Sequence, residues 1–468
     1  MVFSSLNFIY FFFPITILLY FLWNNRVYRN TVLLLASILF YSWGEPKLVL
    51  LMMLATFVAY IGGLFIERFR NKGQPTAQKV AFIVTTILLT GNLFFFKYFN
   101  FTLENFQALF GTKWAVPSIA LPIGISFYTF QILSYVIDLH WNRVGVQKNF
   151  FYLMLYLCFF PQLIAGPIVR YQTVEKEIRN RSENLDEIAE GLRRFVVGFA
   201  KKVIIANNVA QVAEMVYAGD AAVYGTLLYW LAAIAYALQI YFDFSGYSDM
   251  AIGLGKMFGF HFLENFNYPY IATSITDFWR RWHISLSSWF RDYIYIPLGG
   301  NRVSRLRFIL NILIVWSVTG FWHGAQWNFV LWGLYYGLLL LLEKLVLGKA
   351  LEKLPKLLRW AYAMFFVLIG WVLFNLTDFT QMSFALQMMF KGVPTDWVGV
   401  ISANSNILYA LLFMPLGILC MFPWAKKFPK PQSAGLTLVY NVGALALFAL
   451  CLVFIFSSTY NPFIYFRF

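Results

Sequence analysis

The sequence predicts an all-α polytopic membrane protein. Three observations carry this. Hydrophobic residues make up 60% of the 468 and charged residues only 12%. Apolar stretches of the length needed to cross about 30 Å of hydrocarbon recur from end to end. Lys and Arg are gathered into short segments between those stretches, as orientation signals are. The mean hydropathy of +0.65 agrees. A net charge of +15 would suggest nucleic acid in a soluble chain. Here it reads as orientation signal and contact with anionic lipid headgroups, and no nucleic-acid partner is expected. Aromatic content of 21% fits interfacial belts, to which lipid-facing Phe also adds. Cys158, Cys420 and Cys451 all lie in apolar runs without CxxC or Cys/His ligand spacing, so neither a disulfide framework nor a metal site is expected. Residues 1–23 lack a basic leading segment and a small-residue cleavage site, and read as a retained first helix.

In chain order, the candidate spans are 7–23, 31–44, 48–66, 80–97, 119–139, 151–168, 195–217, 225–243, 246–262, 308–322, 325–342, 359–376, 405–423 and 434–456. Basic segments follow several of them: Arg26 and Arg29, Arg68 to Lys79, Arg143 and Lys148, Arg170 to Arg194, Arg280 to Arg307, Lys344 to Arg359, and Lys426 to Lys430. These read as cytoplasmic. The opposite loops are Glu45 to Lys47, 101–117, 212–224 with Glu214 and Asp220, and 377–400. The run 151–168 has basic segments on both sides, and Pro161 and Ala165-Gly166-Pro167 break it. It is either a re-entrant hairpin covered by protein or a miscounted span. Segment 170–194 is polar and helical in character, a surface helix. No internal repeat or phosphate-binding glycine loop divides the chain, which reads as one domain over 1–468 with its core at about 119–343.

Within this frame Ser317 to Asn328, Ser-Val-Thr-Gly-Phe-Trp-His-Gly-Ala-Gln-Trp-Asn, stands out because it sets His323 inside a long apolar run. Charge resumes only at Arg307 and Glu343, which leaves about 35 residues, enough for two crossings or a broken one. An ionisable group in hydrocarbon is costly, so His323 is read as functional, with a packing hydrogen bond as the plainer alternative.

The region Asn265 to Asn311 is dense in charge and aromatics. Read as one helix from Ser274 or Thr276, it places Phe278, Trp282, Leu286, Trp289, Tyr293 and Ile296 along one side. Asp277, Arg280, Arg281, Ser288 and Arg291 fall mostly on the other. Ser274 and Asp277 stand in capping-box relation, and Pro297-Leu-Gly-Gly ends the helix. A basic, Trp-rich amphipathic helix lies naturally in the membrane interface. His283 on its flank gives a second imidazole on a neighbouring element, whereas His140 and His261 read as ordinary interfacial residues.

A buried neutral imidazole can act as general base, taking the proton of an acceptor hydroxyl as it attacks a thioester carbonyl. Trp322, Trp327, Asn328 or backbone N–H groups are candidate oxyanion donors. The run 238–256 adds Asp243, Ser245, Tyr247, Ser248 and Asp249 around Gly246. In lipid such groups pair between helices or line a cavity, and we read Asp243, Ser245, Tyr247 and Asp249 as tunnel residues with helix-packing polar contacts as the alternative.

Several stretches resemble the membrane-bound O-acyltransferases, in particular the branch of bacterial alginate O-acetyltransferases. They are Tyr241-Phe-Asp-Phe-Ser-Gly-Tyr-Ser-Asp-Met-Ala-Ile-Gly-Leu-Gly255, Phe278-Trp-Arg-Arg-Trp-His-Ile-Ser-Leu-Ser287, Arg291-Asp-Tyr-Ile-Tyr295, Leu298-Gly-Gly-Asn-Arg302 and Trp322-His-Gly324. Leu121-Pro-Ile-Gly-Ile-Ser-Phe-Tyr128, Leu163-Ile-Ala-Gly-Pro167 and the opening Met1-Val-Phe-Ser-Ser5 belong to the same pattern. The likeness runs from Met1 to about Glu343 and weakens toward the tail.

The resemblance implies a ring of tilted helices around a funnel with a thin floor. It implies His323 as the family's near-universal histidine and His283 as the second polar position of the site. It further implies an acyl thioester, acetyl-CoA, as donor on the cytoplasmic side of a bacterial inner membrane, with no bound cofactor. The acceptor lies in the periplasm and is often reached through an SGNH-hydrolase-like partner working with glycan synthesis and export proteins. Arg280, Arg281 and Arg291 would meet donor phosphates, or else lipid headgroups. The expected activity is O-acetylation of an envelope or secreted polysaccharide of alginate, cellulose or peptidoglycan type. A teichoic acid D-alanyl transferase is the rival within the family. A transporter, which would more often show hydropathy repeats, and a scaffold, which would not need His323, are rivals from other classes.

Overall fold

The computed structural model describes residues 1–164, 166–219, 221–424, 433–457 and 464. Asp220, Ala165, Lys426 to Lys430 and most of the tail from 458 onward lie outside the described residues. Among those described, the regular structure is helical throughout. Among the described residues eight helices are long and apolar enough to cross a membrane, nine spans if the sharply bent pair Trp397–Ala403 and Asn406–Cys420 is counted as one. The chain is an all-α, multi-pass membrane protein.

Residues cluster into two compact units: Met1–Phe195 with Met250–Leu263, and Val196–Asp249 with Glu264–Phe468. In the first unit, several loops that charge assigns to one membrane face meet. Arg26 and Arg29 reach the Glu183 carboxylate at 2.6 and 2.8 Å, and Tyr20 donates to it as well. The Arg181 guanidinium donates to Phe258 O at 2.9 Å and to Asn30 Oδ1 at 2.7 Å. Arg70 likewise bonds Asn142 Oδ1 at 2.9 Å. The run expected at 151–168 forms only the nine-residue helix Phe150–Cys158, followed by irregular chain. Nine helical residues rise about 14 Å, too little to cross a bilayer. Phe160, Gln162 and Leu163 beyond it are buried in protein, as broken backbone at such depth requires.

Two expected spans, 225–243 and 246–262, are one helix that starts past a kink at Gly225 (φ 59°) and ends at Met257. Gly246 does not break it. The glycine instead lets another helix come close, since a Cβ there would stand 2.6 Å from Gly198 O. Segment 170–194, expected as one surface helix, is divided between Tyr171–Arg179 and the start of Leu185–Ala218.

In the second unit the helices Arg305–His323 and Trp327–Lys353 are the two crossings allowed by the charge-free run. They pack at backbone distance. A Cβ at Gly320 would lie 2.2 Å from Phe329 O, and one at Gly333 would lie 2.3 Å from Trp316 O. The tight hairpin fixes where His323, the last residue of its helix, stands. Of the tail, Ile464 is buried, and its N–H donates to Asp243 Oδ2 at 2.8 Å.

Candidate active site

The amphipathic helix expected over 274–296 is broken in the middle. Helix Ile275–Arg281 ends at Trp282, His283 takes left-handed backbone geometry (φ 46°, ψ 55°), and a second helix runs Ile284–Phe290. Left-handed geometry costs a non-glycine residue of order 1 kcal/mol. Strain of this kind is held only where surrounding contacts over-determine it. The apolar side survives the break, since Phe278, Trp282, Leu286, Trp289 and Tyr293 are buried; Ile296 is exposed.

The first helix is capped at both levels. Asp277 N donates to Ser274 Oγ at 2.9 Å, and Thr273 N donates to Asp277 Oδ2 at 3.2 Å. Its free N–H groups at Ile275 and Thr276 donate to the buried carboxylate of Glu343, at 2.6 and 2.9 Å, with the Thr276 hydroxyl adding a third bond at 2.7 Å. Glu343 lies just past the apolar run that carries the hairpin, so one carboxylate ties that hairpin to the helix leading into His283.

A cavity of about 220 Å³ opens between these elements. His283, 1% exposed, and His323, 5% exposed, both line it, with Trp279, Trp282, Trp316 and Thr319 among its walls. Arg280, Arg291 and Lys344 line it too and are exposed, Arg291 while paired with Asp292 at 2.7 Å, so basic side chains stand on its open side. The His323 ring meets the edges or faces of Trp322, Trp332 and Phe374 at 5.0, 5.1 and 5.2 Å. The His283 ring stands perpendicular to Phe244 at 4.6 Å. Its Nδ1 lies 3.1 Å from Asn265 Oδ1. Such a site combines two oriented imidazoles, an aromatic wall that excludes water, and cations at the entrance.

Other candidates stand elsewhere. Trp322 contacts both histidine rings without lining the cavity. Asn328 is fully buried and its amide donates to Phe374 O at 3.2 Å, a helix-to-helix tie. Asp243 meets Lys202 Nζ at 2.8 Å and Asp249 meets Lys201 Nζ at 2.6 Å. Neither carboxylate lines the cavity, nor do Ser245 and Tyr247 of the same helix. Arg281 is turned aside by its ion pair with Asp277 at 2.8 Å. The sequence reading did not single out Trp279, Trp316, Thr319 and Lys344 as wall residues, nor Asn265 and Glu343 as supports. The one available signal for Glu343 was its place as the first charge after the apolar run.

The family model of the membrane-bound O-acyltransferases matches residues 143–380. A probable alginate O-acetylase of Azotobacter vinelandii is 36% identical over the full length of both chains. Another, from Pseudomonas aeruginosa, is 42% identical over 80% of this chain and 72% of its own. A peptidoglycan O-acetyltransferase of Helicobacter pylori is 32% identical over 100% of this chain and 98% of its own. The chain belongs to the membrane-bound O-acyltransferase family, on the branch of the alginate O-acetylases, and is a membrane O-acetyltransferase.

Proposed function

We propose that the protein takes an acetyl group from a cytoplasmic thioester, acetyl-CoA being the natural donor, and passes it across a bacterial inner membrane for O-acetylation of an envelope or secreted polysaccharide. The observation that carries this reading is the cavity itself. Two buried imidazoles line it, and three cations stand on its exposed side. Arg280, Arg291 and Lys344 suit the phosphates of a nucleotide thioester, while the aromatic wall excludes water that would hydrolyse it. His323 serves as general base and His283 as its polar companion. The acceptor oxygen attacks the thioester carbonyl, its proton passes to the imidazole, and the C–S bond breaks as the new C–O bond forms. The imidazolium then returns the proton to the thiolate.

Alginate is the first acceptor to test because the full-length alginate O-acetylase match is 36% identical, and peptidoglycan is the second because its full-length match is 32% identical. A periplasmic SGNH-hydrolase-like partner that receives the acetyl group fits a membrane enzyme of this kind. The D-alanyl transferase reading ranks below both, because relatives of that kind match only about half of the chain. The test is glycan acetate content in cells carrying wild type or His323→Ala, with membrane levels measured by blot. Loss of acetate at normal protein level supports acyl transfer at this site. Retained acetate makes His323 a packing residue and defeats the reading.

A further inference from the structure

We infer that Asn265 is a positioning residue for acyl transfer: it holds His283 in the tautomer with the proton on Nδ1, which leaves the Nε2 lone pair to the cavity. This rests on the reading of His283 as part of the acyl-transfer site. The argument begins at a group whose role is fixed. The Ser285 backbone N–H lies 3.2 Å from one amide atom of Asn265, and a backbone N–H only donates. That amide atom is therefore the oxygen. The Ser285 hydroxyl donates to the same oxygen at 2.8 Å, and Asn265 Nδ2 donates to Ser248 Oγ at 3.1 Å. His283 Nδ1 has two polar neighbours, Asn265 Oδ1 at 3.1 Å and the Ser285 hydroxyl at 3.4 Å; the hydroxyl is turned to the same amide oxygen at 2.8 Å, so Nδ1 faces an acceptor and carries the hydrogen.

Burial favours the neutral ring, and a neutral imidazole has one N–H. Nε2 is then the acceptor nitrogen. The opposite tautomer would offer the cavity a donor and could take no proton. Asn265 is well placed to impose the choice. It is 1% exposed, and its own carbonyl accepts from Ile284 N at 2.9 Å, so it grips the chain just past the left-handed break. Among charged and titratable groups, His323, Arg280, Arg291, Tyr295 and Lys344 line the same cavity. On the helix that presents Phe244 and Ser248, Asp243 and Asp249 are engaged by Lys202 and Lys201. His283 thus joins His323 as a proton acceptor.

The test reads the tautomer directly. The chain has four histidines, so ¹⁵N-histidine labelling of the full-length protein in lipid vesicles gives a tractable nitrogen spectrum, with His283 assigned by its loss in His283→Gln. The expected result is a protonated Nδ1 and a bare Nε2 at neutral pH. In Asn265→Leu the signal should move toward the Nε2–H form, with kcat for acetyl transfer down roughly 10- to 100-fold, as loss of a histidine's orienting partner commonly costs. Asn265→Asp should keep the Nδ1–H form and move the acidic limb of the pH–rate profile upward, because a carboxylate favours imidazolium. A wild-type spectrum showing Nε2–H overturns the assignment whatever the activity. Full activity in His283→Gln, with the Nδ1–H tautomer seen in wild type, overturns instead the functional reading beneath it.

Discussion

Within the second unit, Lys202 and Asp243 meet at 2.8 Å between packed helices, while His283 and His323 form part of a cavity wall. Both clusters are buried polar groups in membrane-spanning protein, and from the sequence both were candidates for chemistry. They differ in what surrounds the charge. The ammonium and carboxylate are matched to one another, 4% and 2% exposed, and Asp243 also takes the N–H of Ile464. The imidazoles are braced by aromatic rings and an amide, and they border an open cavity. A buried polar group signals function when it borders a space; when it borders its counter-charge it signals packing.

The largest effect that would sharpen this contrast is at His323. His323→Ala should lower acetyl transfer on the order of 10²- to 10⁴-fold while leaving membrane level and melting temperature near wild type. A drop in protein level equal to the drop in activity would erase the distinction. Lys202→Ala should behave the opposite way. It strands the Asp243 carboxylate and should cost about 3–5 kcal/mol of stability, read as lost membrane protein and a lowered melting temperature in detergent. The paired change Lys202→Met with Asp243→Leu should recover most of that loss; if it does not, Asp243 has a role besides packing.

Glu343 joins the two kinds of region, being a buried carboxylate that supports the cavity. Glu343→Gln removes the charge from three hydrogen bonds and should weaken the docking of helix Ile275–Arg281 by about 1–3 kcal/mol. Amide hydrogen exchange at Ile275 and Thr276 would report it, and unchanged exchange there would show that the helix is held by its aromatic contacts alone.

The smallest effect lies on the first unit, where His261 bonds Glu177 at 2.8 Å and Glu187 at 3.2 Å. Partial burial would lower its pKa, but hydrogen bonds and attraction from the two carboxylates outweigh this and raise it. The folded pKa then exceeds the unfolded one. The contribution is complete below the unfolded value of about 6.5 and fades as pH rises through the folded value. The melting temperature of wild type relative to His261→Gln should therefore narrow from about pH 6 to about pH 8. A constant difference would mean that the ring stabilises by packing.

Much of this was legible from residue order. Charge-free length predicted the hairpin that carries His323, and basic loops grouped the segments that meet at Glu183. The buried side of Phe278, Trp282, Leu286, Trp289 and Tyr293 followed from helical spacing. Three things were not legible, each because it depends on a partner distant in the chain. The gap read between spans 225–243 and 246–262 closes once Gly246 is seen packed against Gly198. Asp243 and Asp249 read as tunnel residues until Lys202 and Lys201 are seen across from them. The left-handed turn at His283 has no local signal at all, since neither Gly nor Pro marks it. It arises from the grip of Asn265, eighteen residues earlier, on Ile284 and Ser285.

That turn also sets stability and activity at odds at one residue. Gly adopts left-handed backbone without penalty, so His283→Gly should relax the chain while removing the imidazole, its bond to Asn265 and its contact with Phe244. Backbone relief and lost packing then oppose one another in stability, whereas turnover has only a loss to show. Selection on acetylated product is what would keep histidine there, with the backbone penalty carried as a standing cost of the chemistry.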